Sequence, residues 1–156
     1  MNKIVKAILS LGYVGLTPKM PGTVGSFVTL IFLILLSLFF PLLPILRLGF
    51  LVVILVIGVW LSIYLVKKNI IGEYDKQWII IDEFLGMIIA VGLAFILNLN
   101  WDWYFIAFIL FRFFDILKPL GLSKINKINK PWAVVADDLG AGVYSLIIFI
   151  VIFYFV

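Results

Sequence analysis

The sequence predicts an all-α, polytopic helical membrane protein of about five spans, preceded by a short amphipathic helix, and three observations carry that expectation. Of its 156 residues 65% are hydrophobic and 13% charged, with a mean hydropathy of +1.29, which leaves too little polar surface to solvate a globule of this size. The apolar residues fall in runs that suit the ~30 Å hydrocarbon core of a bilayer. Polar connectors and Pro/Gly clusters separate those runs. The length implies a single domain over residues 1–156.

Residues 1–23 carry Lys3 and Lys6 in an amphipathic start, then Gly12, Gly15, Pro18, Pro21 and Gly22, and read as a surface helix followed by an irregular loop. The basic start precedes only Ala7 to Leu11 before the glycines, too short for a cleaved signal peptide. Phe27 to Phe40 is the first apolar run, short enough to be re-entrant, in which case four full spans remain. Pro41 and Pro44 punctuate it, and Leu48 to Val66 follows Arg47 as the second. The polar stretch Lys67 to Gln77 leads to a third run, Trp78 to Leu97. A turn at Asn98 to Asp102 leads to a fourth, Trp103 to Leu117, and Trp101, Trp103 and Tyr104 suit a headgroup belt. A second connector, Lys118 to Trp132, precedes the last run, Ala133 to Val156.

With the N-terminus in the cytoplasm, Lys3, Lys6, Lys19, Lys67, Lys68, Lys76, Lys118, Lys124, Lys127 and Lys130 share that side, Arg47 lies outside and Arg112 within a span. The same path brings Asp82 and Glu83, Asp115, and Asp137 and Asp138 from three spans to one membrane face. Each carboxylate at membrane depth costs on the order of 2–3 kcal/mol, so five of them call for a compensating cation. Oxygen ligands suit Mg²⁺ or Mn²⁺, and the absence of histidine and cysteine argues against Zn²⁺ and removes both side chains as catalysts. All five acids are candidates for catalysis and metal binding, whereas Glu73, Asp75 and Asp102 are assigned to solvated loops. Gly86 with Ala90, and Ala141 with Gly142 and Ser145, suit close helix packing beside the acids.

The stretch Thr17 to Ser26 places Lys19, the Thr23 and Ser26 hydroxyls and flexible backbone at Gly25 near a helix N-terminus, where phosphate is favoured. Arg112 can pair with Asp115 at i, i+3 or clamp a phosphate, and Lys118 follows just past the span. Phosphate, carboxylate-held metal and membrane depth together suggest hydrolysis of a lipid phosphomonoester, an anionic phospholipid met from the cytoplasmic leaflet, with no nucleic-acid partner.

Gly12-Tyr13-Val14-Gly15 with Thr17 to Ser26, Ile81 to Gly86, Phe111 to Pro119 and Asp137 to Gly142 stand in the order and spacing of the phosphatidylglycerophosphatase A family, which the chain resembles over nearly its whole length. Lys19-Met20 and Leu120-Gly121 depart from the residues commoner there. The resemblance implies a bacterial inner-membrane enzyme that uses Mg²⁺ to convert phosphatidylglycerophosphate to phosphatidylglycerol and phosphate, with its acidic residues at Asp82, Glu83, Asp115, Asp137 and Asp138. The alternative is a small ion- or proton-coupled transporter using the same carboxylates, which predicts charges along a path near mid-membrane.

Overall fold

A computed structural model describes residues 2–39, 43–119 and 121–156. Among these the chain is all-helical: α1 (Lys3–Leu9), a 3₁₀ turn at Val14–Leu16, α2 (Pro21–Phe39), α3 (Pro44–Asn69), α4 (Ile81–Leu97), α5 (Trp101–Leu117), α6 (Leu122–Asn126) and α7 (Ala133–Phe155). The end of the first run at Phe40, the Pro41 break and Leu120 lie outside the described residues.

Three helices, α2, α3 and α7, are long and apolar enough to cross a membrane, with 19, 26 and 23 residues and mean hydropathies of 2.3, 2.7 and 2.0. Their outer faces carry large apolar side chains in the open, such as Val53, Val56 and Trp60 on α3 and Ile147 and Val151 on α7, the pattern of a protein whose solvent is hydrocarbon. The helices α4 and α5 have 17 residues each, about 25 Å at 1.5 Å per residue. Eleven residues of α4 are buried, because it is the central helix, packed against α2, α3, α5 and α7.

The closest packing in the bundle is the crossing of α4 and α7. A Cβ on Gly86 would meet the Asp138 carbonyl oxygen at 2.5 Å and the Phe111 ring at 2.6 Å, and one on Gly142 would collide with the Gly86 carbonyl. Without side chains at these two positions the backbones touch, and the acids one turn away on each helix are drawn together. Beyond the crossing, Leu30, Leu33, Met87, Val91, Phe95, Phe111 and Phe149 fill an apolar core. A second cluster joins Leu9 of α1 to Leu65, Val66, Ile81, Leu85 and Val135, and the Ile80 amide donates to the Leu9 carbonyl at 3.0 Å, which fixes α1 beside the start of α4.

Three sequence expectations change. Residues 21–26, read as irregular loop, form the first turns of α2: Pro21 opens the helix, where its missing N–H costs nothing, and Ser26 Oγ and Thr29 Oγ1 donate back to the carbonyls of Gly22 and Gly25. Arg47, placed in an outer connector, is buried inside α3 and donates to the Phe95 carbonyl at 2.7 Å and to Asn98 Oδ1 at 2.8 Å. Tyr104, expected in a headgroup belt with Trp101, points into the core instead, because it lies on the face of α5 that carries the buried Ala107 and Phe111.

Candidate active site

Asp82 and Glu83 open α4, where the first-turn amides and the positive end of the helix dipole favour carboxylates; Asp82 Oδ1 accepts from the Glu83 amide at 3.1 Å. Asp138 lies across the glycine crossing on α7. One oxygen from each of Asp82, Glu83 and Asp138 comes within 4.8 Å of the others, the one group among the described residues arranged to share a metal ion. Asp82 and Asp138 are 6% and 4% exposed. Glu83 Oε2 is buried with no hydrogen-bond partner. Three oxygen donors, two of them on nearly sealed side chains and one accepting nothing from the protein, fit a hard divalent cation.

The other two predicted acids flank this centre in different ways. Asp115, near the end of α5, faces Glu83 and Asp138 and is held by Arg112 Nη1 at 2.6 Å. Asp137 on α7 is only 3% exposed and is bound instead by Lys118 Nζ and Asn126 Nδ2, the latter at 2.9 Å, which both donate to its Oδ2. Lys118 ends α5 in a left-handed conformation with φ of 43°. Although burial alone would lower the Lys118 pKa, the hydrogen bond and charge of Asp137, with the charges of Asp138 and Asp115, raise it above the usual lysine value.

The predicted phosphate-binding residues also divide. Arg112 Nη1 donates to Ser26 Oγ at 3.2 Å and Nη2 to Thr23 Oγ1 at 3.0 Å, so both hydroxyls on α2 meet the arginine on α5. The buried Arg112 Nε has no partner. Gly25 serves packing, since a Cβ there would meet the Ile80 side chain at 2.8 Å, and Lys19 is exposed in the preceding turn. The first turn of α2 approaches Glu83 so closely that a Cβ on Gly22 would strike Glu83 Oε1, which places this carboxylate in the field of the α2 N-terminus.

Two further residues join the site. Asn126, on α6, bonds Asp137 and reaches Asp75 Oδ2 at 3.4 Å. Asp75 is exposed in its connector, as its assignment to a solvated loop expects, while partial desolvation and then the charge of Asp137 raise its pKa and set it at the rim of the site. Neither residue stood out in the sequence, because both lie in polar connectors where amides and acids are ordinary.

The fold and site define a helical membrane protein with a buried carboxylate centre of metal-binding type, flanked by an arginine and a lysine. The chain belongs to the phosphatidylglycerophosphatase A family, a family of phosphatases whose pattern it matches over residues 7–153. It is 36% identical to Phosphatidylglycerophosphatase A of Haemophilus influenzae over 152 residues, covering 94% of this chain and 88% of that protein. It is 33% identical to Phosphatidylglycerophosphatase A of Escherichia coli over 142 residues, covering 88% and 77%. A Bacteroides thetaiotaomicron protein named "Putative phosphatidylinositol-3-phosphatase" is 38% identical over 137 residues, covering 86% and 84%. No solved structure matches the chain.

Proposed function

We propose that this chain is a Mg²⁺-dependent phosphatidylglycerophosphatase, a single membrane-embedded domain that hydrolyses the terminal phosphomonoester of phosphatidylglycerophosphate at the cytoplasmic face of a bacterial inner membrane. The observation that carries the reading is the convergence of Asp82, Glu83 and Asp138 within 4.8 Å, beside an arginine with an unsatisfied Nε. The names of the Haemophilus influenzae and Escherichia coli relatives support the same substrate.

Asp82, Glu83 and Asp138 would hold Mg²⁺, with Asp115 and Asp137 completing its surroundings. When bound, the ion neutralises phosphoryl oxygens and acidifies water. Arg112 is already oriented by Asp115, Thr23 and Ser26, and its fork presents donors to a phosphate without reorganising. Each of the three acids would give one oxygen to the ion, so the second carboxylate oxygen of Glu83 would be the one to accept a proton from the attacking nucleophile. Lys118 holds Asp137 and keeps a positive charge near Asp138 and Asp115, while Lys19 is exposed to meet an anionic headgroup at the membrane surface.

The orientation rests on the lysines that end α3 and populate the connectors on the same side as the acids. Five spans follow if α4 and α5 cross as short, tilt-free helices inside the bundle. Between the acids and Arg47 at the far end the core is apolar, which supports hydrolysis at one face over transport through the bundle.

Phosphate release by the purified protein in detergent, with Mg²⁺ and after chelation, tests the proposal against phosphatidylglycerophosphate, phosphatidylinositol 3-phosphate and phosphatidic acid. Release chiefly from the first, abolished by chelation, is expected. Equal release after chelation removes the metal from the mechanism, preference for the inositol lipid reassigns the substrate, and no release from any phospholipid overturns the reading.

A further inference from the structure

A groove of about 460 Å³ lies between α1, α2 and α4, lined by Ala7, Ile8 and Leu11, by Val28 and Phe32, and by Ile81 and Phe84, with Thr29 and Gly12 closing it. Its walls are apolar throughout except for Thr29, and Thr29 Oγ1 is committed to the Gly25 carbonyl at 2.8 Å. Such a surface offers nothing to a sugar, a phosphate or an ordered water.

What singles this groove out is where it ends. Ile81 and Phe84 bracket Asp82 and Glu83 on α4, while Val28 and Phe32 continue α2 away from Thr23 and Ser26, the residues bound to Arg112. The other wall is α1, the helix that also carries Lys3 and Lys6. The first turns of α2 pack against Glu83 at Gly22 and against Ile80 at Gly25, so the slot begins about one helical turn beyond the carboxylate centre and runs along α2 from there, with a basic helix as its other wall.

We propose that this groove is the docking slot for an acyl chain of the anionic phospholipid substrate, which enters sideways between α1 and α2 and is thereby aligned with its phosphate at the carboxylate centre. The inference rests on the lipid-phosphatase reading above and adds the route and the chain-binding surface to it. A chain seated between Phe32 and Phe84 fixes the lipid in the membrane plane, so that binding energy far from the phosphate orients the reacting group.

The chain contains no cysteine, so one introduced thiol reports one position. Val28→Cys and Phe32→Cys place it in the groove, and Val53→Cys places it on the outer face of α3, where Val53 is 55% exposed. Each variant, purified in detergent with Mg²⁺ replaced by Ca²⁺ to slow turnover, is reacted with a small maleimide alone, with dioleoyl phosphatidylglycerophosphate, or with the chain-free glycerophosphoryl-glycerophosphate. At a lipid concentration about twice its Kd the free fraction falls to about one third, so labelling at positions 28 and 32 slows about threefold with the diacyl compound. The chain-free compound leaves it unchanged, and position 53 reacts alike in all conditions. Equal slowing by both compounds, slowing at position 53 as at 28, or no slowing at either groove position overturns the proposal. Because labelling needs no turnover, a protein that releases no phosphate yet shows chain-dependent protection separates failure of the phosphatase reading from failure of the groove.

Discussion

Two arginines are held inside this bundle, one toward each end, and their partners differ in kind. Arg47 is 2% exposed; it donates to the Phe95 carbonyl and Asn98 Oδ1 and lies 5.2 Å over the Phe95 ring. Those partners are neutral oxygens at the C-terminal end of α4, where the helix dipole is negative, so the arginine ties α3 to α4. Arg112 meets a carboxylate and two hydroxyls, at the N-terminal end of α2, and retains an unsatisfied Nε. A cation among helix C-termini is explained by the fold; one beside a cluster of acids keeps a donor that the fold leaves unused. The comparison teaches that an arginine's partners, rather than its depth, distinguish a strut from a site.

The strongest way to break this contrast lies at the carboxylates themselves. Asp82→Asn or Asp138→Asn removes one of three converging charges from a metal-type centre, and phosphate release should fall by about 10²-fold or more. Circular dichroism and thermal melting in detergent should stay near wild type, since a neutral amide lowers the local repulsion. Retention of full activity by either variant would remove that residue from the centre.

The arginines themselves give the next largest effect. Arg112→Lys keeps the charge but cannot serve Asp115, Thr23 and Ser26 together, and kcat/KM should drop about 10- to 100-fold with little change in melting temperature. Arg47→Met should do the reverse, costing about 2–3 kcal/mol of stability for the hydrogen bonds of a buried charged donor, with kcat close to wild type in the folded fraction. If Arg47→Met lost activity without losing stability, the strut reading would fail.

How much of this was legible beforehand follows from which features are local. The acids stand out at Asp82, Glu83, Asp115, Asp137 and Asp138 because a charge beside an apolar run contrasts with its own neighbours, and Gly86 and Gly142 show as small residues next to them. Positions 21–26 resemble a loop in sequence because Pro and Gly usually signal one, yet the same residues also open helices, and Ser26 and Thr29 bond back within α2. The Arg112–Asp115 pair at i, i+3 is legible, but the hydroxyl partners of Arg112 lie 86 and 89 positions away, and the α4-end partners of Arg47 48 and 51. No single-chain pattern encodes such pairings. Tyr104 illustrates the same limit: type and position suggest the headgroup layer, whereas packing puts it in the core.

Glycines sharpen the comparison at smaller scale. Gly86→Ala drives a methyl against the Asp138 carbonyl and the Phe111 ring, and overpacking of that kind costs about 1–3 kcal/mol. Because the same crossing sets the spacing of Asp82, Glu83 and Asp138, activity should fall along with melting temperature. Gly49, two residues past Arg47 on α3, has nothing within 4 Å of an added Cβ, and Gly49→Ala should leave activity untouched and stabilise the helix by up to about 1 kcal/mol. Parallel melts and phosphate-release assays on the two variants make the test; loss in both, or in neither, would detach the active centre from the glycine crossing.

The smallest expected effect probes the edge of the site at Asp75. Partial burial and the nearby Asp137 charge raise its folded pKa above the usual carboxylate value of 3.8, while Asn126 and Lys118 oppose that shift. A folded state that holds the proton more tightly than the unfolded chain is favoured at low pH, and that contribution is lost as pH rises through the raised pKa. Asp75→Asn cannot ionise, so it should melt slightly higher than wild type above that pKa, with the difference shrinking toward pH 4. Its amide can still meet Asn126, which keeps Asp137 positioned and phosphate release near wild type. A melting difference that grows as the pH falls would reverse the sign and place Asp75 in a stabilising ion pair with Lys118 instead.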